Sequence, residues 1–205
     1  MKFRLSALFP LIVLIILSLA CQTLTKAFSS DPGNSVQNEN KPLAMEWLVT
    51  ADELNSFSAD LGIVGWTVLQ DTPGENRICR SFQGASWSAM PNEGLNCVFK
   101  VAEGASMQSV IDSMFNDGRL FAGAELVNSN LNLDGETALY AGNYPSGHAV
   151  FDLILVRGGL MYWSSVTLGR APGETPQDIY QQPGASQILD AFLVKIITVN
   201  LDKSN

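Results

Sequence analysis

The sequence predicts an α+β fold, an antiparallel sheet with helices packed mainly on one of its faces. Two segments carry apolar residues at helical spacing: Met107, Val110, Ile111, Met114 and Phe115, and later Ile188, Leu189, Phe192, Leu193 and Ile196. Around them lie runs of strand-forming residues separated by turn residues. The clearest are Ala149–Arg157 and Leu160–Leu168, which flank Gly158-Gly159, a pair suited to the positive φ of a hairpin turn. Strands in succession with helices at the flanks, rather than in regular alternation, favour an antiparallel sheet over a parallel one.

In chain order, Thr50-Ala51-Asp52-Glu53 is a capping-box pattern that opens a short helix ending before Gly62. Residues 63–70 read as a strand, followed by a turn at Asp71-Thr72-Pro73-Gly74. Residues 77–85 and 95–101 read as two strands joined by a loop that holds Trp87, Pro91 and Gly94. Ser106 caps the first amphipathic helix and Gly118 stops it. Residues 125–130 and 136–144 read as strands around Asp134-Gly135, ahead of the Gly158-Gly159 hairpin. A loop rich in proline and glycine spans 169–184, and the last helix starts near Ser186.

The amino end has a different character. Lys2 and Arg4 precede an apolar run over 5–19, which closes in Leu17-Ser18-Leu19-Ala20-Cys21. This arrangement resembles a bacterial lipoprotein signal peptide with its lipobox. The resemblance implies cleavage between Ala20 and Cys21 and diacylglycerol on the Cys21 sulfur. The rival reading is an uncleaved anchor helix, for which the run is short against the ~20 residues of a membrane span. Either way the protein is membrane-tethered and exported. Two or more acyl chains, at about 0.8 kcal/mol per buried methylene, anchor durably without help from the folded domain. Residues 1–20 are thus read as the signal peptide, 21–45 as a flexible polar linker, and 46–205 as a single domain.

The formal net charge is −8, and it moves to about −10 once Lys2 and Arg4 leave with the signal. Such a chain is a poor match for nucleic acid, whose binding rests on clustered lysine and arginine. The acidic residues are scattered, as expected for solubility. Of the three cysteines, lipidation of Cys21 leaves Cys79 and Cys97 as a pair in an oxidising compartment. A disulfide between them is favoured over two buried free thiols.

No catalytic motif emerges. His148 is the only histidine, with Ser146 and Asp152 nearby. On a strand, residues 148 and 152 lie about 13 Å apart at about 3.3 Å per residue, beyond the ~3 Å of a His–Asp hydrogen bond. His148 is therefore read as a surface residue at a strand end. Gly84-Ala85-Ser86-Trp87-Ser88 misses the nucleophile-elbow pattern at its last position. Asn130-Leu131-Asn132-Leu133-Asp134-Gly135 imitates half a calcium loop, but position 12 falls on Ala141 instead of glutamate. Its leucines read better as a strand entering a turn. One histidine and two distant cysteines do not make a zinc site, so neither metal nor cofactor is expected. Trp87, in a Pro/Gly loop, is a recognition candidate weighed against simple packing; Trp47, Trp66 and Trp163 are expected in the core.

The order of elements, the cysteine pair and the strand-turn-strand within 150–167 give the domain a likeness to the PsbP-like fold. That fold is shared by a photosystem extrinsic subunit, small bacterial lipoproteins and sensor domains of receptor kinases. The resemblance implies a binding or assembly module without catalytic residues. The chain is accordingly expected to be a noncatalytic, lipid-anchored module on the extracytoplasmic side of a bacterial cell membrane. Its partner would be another envelope protein or a small apolar ligand. Two other classes stay open: a carrier of a lipid or other small apolar ligand, and an extracytoplasmic enzyme with dispersed site residues.

Overall fold

The hairpin at Gly158-Gly159 is present, both glycines at positive φ (58° and 74°), and its strands lie at the centre of a seven-stranded sheet. A computed structural model describes residues 42–58, 65–84, 92–121, 123–144 and 147–205. The strands are β1 (Thr67–Thr72), β2 (Arg77–Gly84), β3 (Asn92–Lys100), β4 (Glu125–Asn128), β5 (Glu136–Asn143), β6 (Ala149–Arg157) and β7 (Leu160–Leu168). The helices are α1 (Ala51–Phe57), α2 (Met107–Asn116), α3 (Pro176–Gln181) and α4 (Ala185–Ser204), with a 3₁₀ turn at Met45–Trp47. The strand order is β1-β2-β3-β7-β6-β5-β4, and every neighbouring pair is antiparallel. Two meanders, β1-β2-β3 and β4-β5-β6-β7, are thus joined through β3 and β7.

The sheet is covered on both faces, unequally. Phe82, Val98, Phe151, Leu153 and Val166 face one side and pack with Leu189, Phe192, Leu193, Ile196 and Ile197 of α4. Leu54 of α1 and residues 47–49 join the same cluster, with Ile179 and Tyr180 of α3 packed against it. On the other face Cys97, Phe99, Ile154, Met161 and Trp163 pack with Val110, Ile111 and Met114 of α2. The central strands are therefore buried on both sides, which is why 149–156 reads as a nearly unbroken apolar run. Leu43, Ala44 and Met45 also pack against the core, and the compact unit runs from Pro42 to Asn205, a little ahead of the boundary drawn at residue 46.

Several local expectations are met by named interactions. Thr50 and Glu53 form the reciprocal capping box of α1, and Ser106 accepts from the Ser109 amide at the start of α2. Gly118, at φ 68°, turns the chain out of α2. Cys79 and Cys97 are direct cross-strand partners on β2 and β3, 4.1 Å apart at Cα, and they form a disulfide.

Other details differ. β1 runs on to Thr72 because Asp71, assigned to a turn, is held in the strand by a two-pronged pair with Arg80 of β2 (2.7 and 2.8 Å). Gly94 lies inside β3 and not in a loop: a Cβ there would sit 3.2 Å from the Trp66 ring, so the ring packs on bare backbone. The 169–184 segment contains α3, opened by a capping box of Thr175 and Asp178 with Pro176 in the first turn. Ile188 is 37 % exposed. The buried stripe of α4 runs instead through Leu189, Phe192, Leu193, Ile196, Ile197 and Asn200. Leu131 and Leu133 sit in a bend rather than a strand, half-buried against the core.

Candidate functional site

The most unusual group in the described structure is a carboxylic acid in the middle of β6. Ala149–Val156 is apolar except for Asp152, whose side chain, by alternation with Ile154, lies on the face covered by α2. Tyr140, Asp152 and Ser165 are successive cross-strand partners on β5, β6 and β7 and stand side by side on that face. Asp152 is only 1 % exposed. Trp163 donates its indole N–H to Asp152 Oδ1 at 2.9 Å, and the Ser165 side chain also hydrogen-bonds the carboxyl. Burial pushes the Asp152 pKa up to about 6, against the pull of the Ser165 and Trp163 hydrogen bonds.

The surroundings continue as a chain of rings. Phe99 lies 6.3 Å from Trp163, and the Arg119 guanidinium sits 4.8 Å over the Phe99 ring while pairing with Asp117 at 3.1 Å. Burial lowers the Arg119 pKa. Phe115 of α2 meets Tyr140 edge to face at 5.8 Å. The result is a protonatable group close to neutrality, enclosed by aromatic and aliphatic side chains. Such a carboxyl accepts hydrogen bonds when charged and donates one when neutral.

His148 needs a correction. It is 8 % exposed and so buried, not a surface residue. The turn before β6 is closed by Tyr144 N to His148 O and Gly147 N to Tyr144 O, and Arg170 Nε from the following loop reaches Gly147 O at 2.6 Å. Arg170 thus ties that loop to the turn at its exposed end. The separation from Asp152, about 13 Å along the strand, still places the two beyond direct contact.

A second polar cluster ties α3 and α4 to the edge of the sheet. Tyr180 OH donates to Asp190 Oδ1 at 2.9 Å, and Asn128 Nδ2 donates to Asp190 Oδ2 at 3.0 Å. Burial, with Asp190 alongside, raises the Tyr180 pKa to about 12. All three are half-buried, and their geometry is that of a brace between elements.

Cys79 and Cys97 are brought together, as expected. Trp47, Trp66 and Trp163 are buried. Cys21 and Trp87 lie outside the described residues. Among the described residues no cluster of histidine, cysteine, aspartate and glutamate is placed to hold a metal, and no helix is long and apolar enough to cross a membrane. The Asp152 site is not evident from sequence motifs, which offer Asp152 only as a partner for His148. The available signal was one acid inside an otherwise unbroken apolar strand, which demands a buried partner. No family model matches the chain, and no curated protein matches it.

Proposed function

We propose that this protein is a noncatalytic, lipid-anchored binding or assembly module on the extracytoplasmic side of a bacterial membrane. The observation that carries this reading is the fate of the cysteines. Cys79 and Cys97 are bonded to each other, a state suited to an oxidising compartment. That leaves Cys21, at the end of the lipobox-like stretch, as the thiol available for acylation. The element order also supports the likeness to PsbP-like domains, which are binding and assembly modules. Val68 and Leu69 of edge strand β1 stand exposed next to each other and offer apolar area to a protein partner.

The test is Cys21→Ala in the native host. The substitution is expected to abolish lipid labelling and to move the protein from the detergent phase to the aqueous phase. Unchanged partitioning would overturn the lipid anchor. A photo-crosslinker at Leu69 tests the binding half of the reading, with a defined envelope protein as the expected adduct and an absence of adducts counting against it.

One observation favours an extracytoplasmic enzyme as the second reading: the Asp152 carboxyl, held near pH 6 beside a serine hydroxyl and an indole N–H. Under that reading Asp152→Asn abolishes a turnover that the folded protein otherwise performs. Under the binding reading it alters stability alone.

A further inference from the structure

We infer that Asn96, Ser164 and Asn200 form a buried polar site between α4 and the centre of the sheet, built to hold ordered water. Asn96 and Ser164 are fully buried cross-strand partners on β3 and β7. They share the parity of Val98, Tyr162 and Val166, so both lie on the face beneath α4, with Cβ atoms about 5 Å apart. Asn200 is fully buried on the inner stripe of α4.

Three independent contacts set the helix over the strands. Tyr162 shares a 3.0 Å hydrogen bond with Ser204 near the end of α4. Earlier in α4, Phe192 stacks on Trp66, whose ring covers Gly94, the partner of Val166. α4 therefore runs antiparallel to β7. One helical turn back from Ser204 is Asn200, and two residues on from Tyr162 is Ser164, each a step of about 6 Å. The third contact comes from the side. Lys203 Nζ donates to Leu48 O at 3.2 Å, and the next amide, Val49 N, donates to Asn96 Oδ1 at 3.1 Å. Asn96 and the last turns of α4 thus flank the same short segment.

Among the described residues, Asn96 Nδ2, Ser164 Oγ, and both Nδ2 and Oδ1 of Asn200 have no hydrogen-bond partner. Buried polar atoms are rarely left so, because each has given up its bonds to water on folding. The set mixes donors and acceptors and carries no charge. The nearby cations Lys203 and Arg80 are already paired, with Glu53 and Asp71. A neutral molecule that both donates and accepts fits this chemistry, and a buried water, which makes about three hydrogen bonds, is the smallest that does.

The test uses the full-length protein in detergent, with water-selective NMR transfer to the Nδ2 protons of Asn96 and Asn200. Direct cross-peaks of long residence are expected in the wild type. The Asn96 peak is expected to be lost in Asn200→Leu while the backbone amide spectrum is kept. If that variant does not fold, Ser164→Ala supplies the same comparison with a smaller change. Wild-type side-chain amides that show transfer only from protein protons would overturn the site. So would a small molecule other than water, released from the protein and seen by native mass spectrometry.

Discussion

Trp163 of β7 donates its indole N–H to Asp152 of β6 at 2.9 Å, two residue pairs out of direct register, since Asp152 itself faces Ser165 and Trp163 faces Ile154. The bond runs diagonally between two buried central strands. It gives the buried acid a donor that cannot deprotonate and that helix α2 keeps away from water. Asp152 is therefore a stable fixture whose charge depends on pH.

The sign of that dependence follows from the direction of the shift. The folded-state pKa is raised from 3.8 to about 6, so below pH 3.8 the acid is neutral in both states and exerts no penalty. As pH rises through about 6 the unfolded chain has already released its proton and the folded chain must pay to do so. The folded state then loses on the order of 3 kcal/mol relative to acid conditions. Asp152→Asn keeps an acceptor for Trp163 and removes the titration. Urea melts at pH 4.5 and 7.5 should show the variant gaining stability relative to wild type at the higher pH. An equal difference at both values would contradict a raised Asp152.

The disulfide joins residues separated by 18 positions. In the chain-entropy account a loop of this size contributes about 3 kcal/mol. Intact mass of the non-reduced protein should be lower by two hydrogens, and Cys79→Ala with Cys97→Ala should lower the denaturation midpoint by a matching amount. Thiols that alkylate without reduction would remove the bond from the native protein.

For His148→Ala the burial of the side chain sets the expectation. A surface histidine would change stability by no more than about 0.5 kcal/mol, whereas loss of a buried polar side chain costs about 1–3 kcal/mol. Thermal melts should place the variant in the second range. A melt indistinguishable from wild type would contradict the burial of the His148 side chain.

Both long helices were legible through the spacing that burial of one face enforces, and the central strands through buried runs bounded by turn residues. Ala149–Arg157 and Leu160–Leu168 were found to the residue, since Gly158-Gly159 leaves few other ways to turn. α3 was missed although Thr175-Pro176-Gln177-Asp178 carries a cap and a first-turn proline, because the Pro/Gly content around it masks a six-residue helix. Ile188 was misplaced because apolar spacing alone does not tell which edge of a stripe the sheet reaches. Asp71 and Gly94 were read from their turn propensities, which the Arg80 pair and the Trp66 ring override. At the Asp152 site the strand was legible but its partner was not. Trp163 becomes adjacent only through the register of β6 on β7, which periodicity does not reveal.

The joint between the two meanders has a consequence for how the chain must be made. β3 ends at Lys100, and its partner β7 does not begin until Leu160. A polypeptide that emerges amino end first, from a ribosome or a translocation pore, carries β1-β2-β3 for the whole interval with one edge of β3 open. An open apolar edge is a template for the wrong partner, and such distant pairing is slow. The Cys79–Cys97 bond lies wholly within the part that emerges first, so it can lock the early hairpin in register while the rest of the sheet is still arriving.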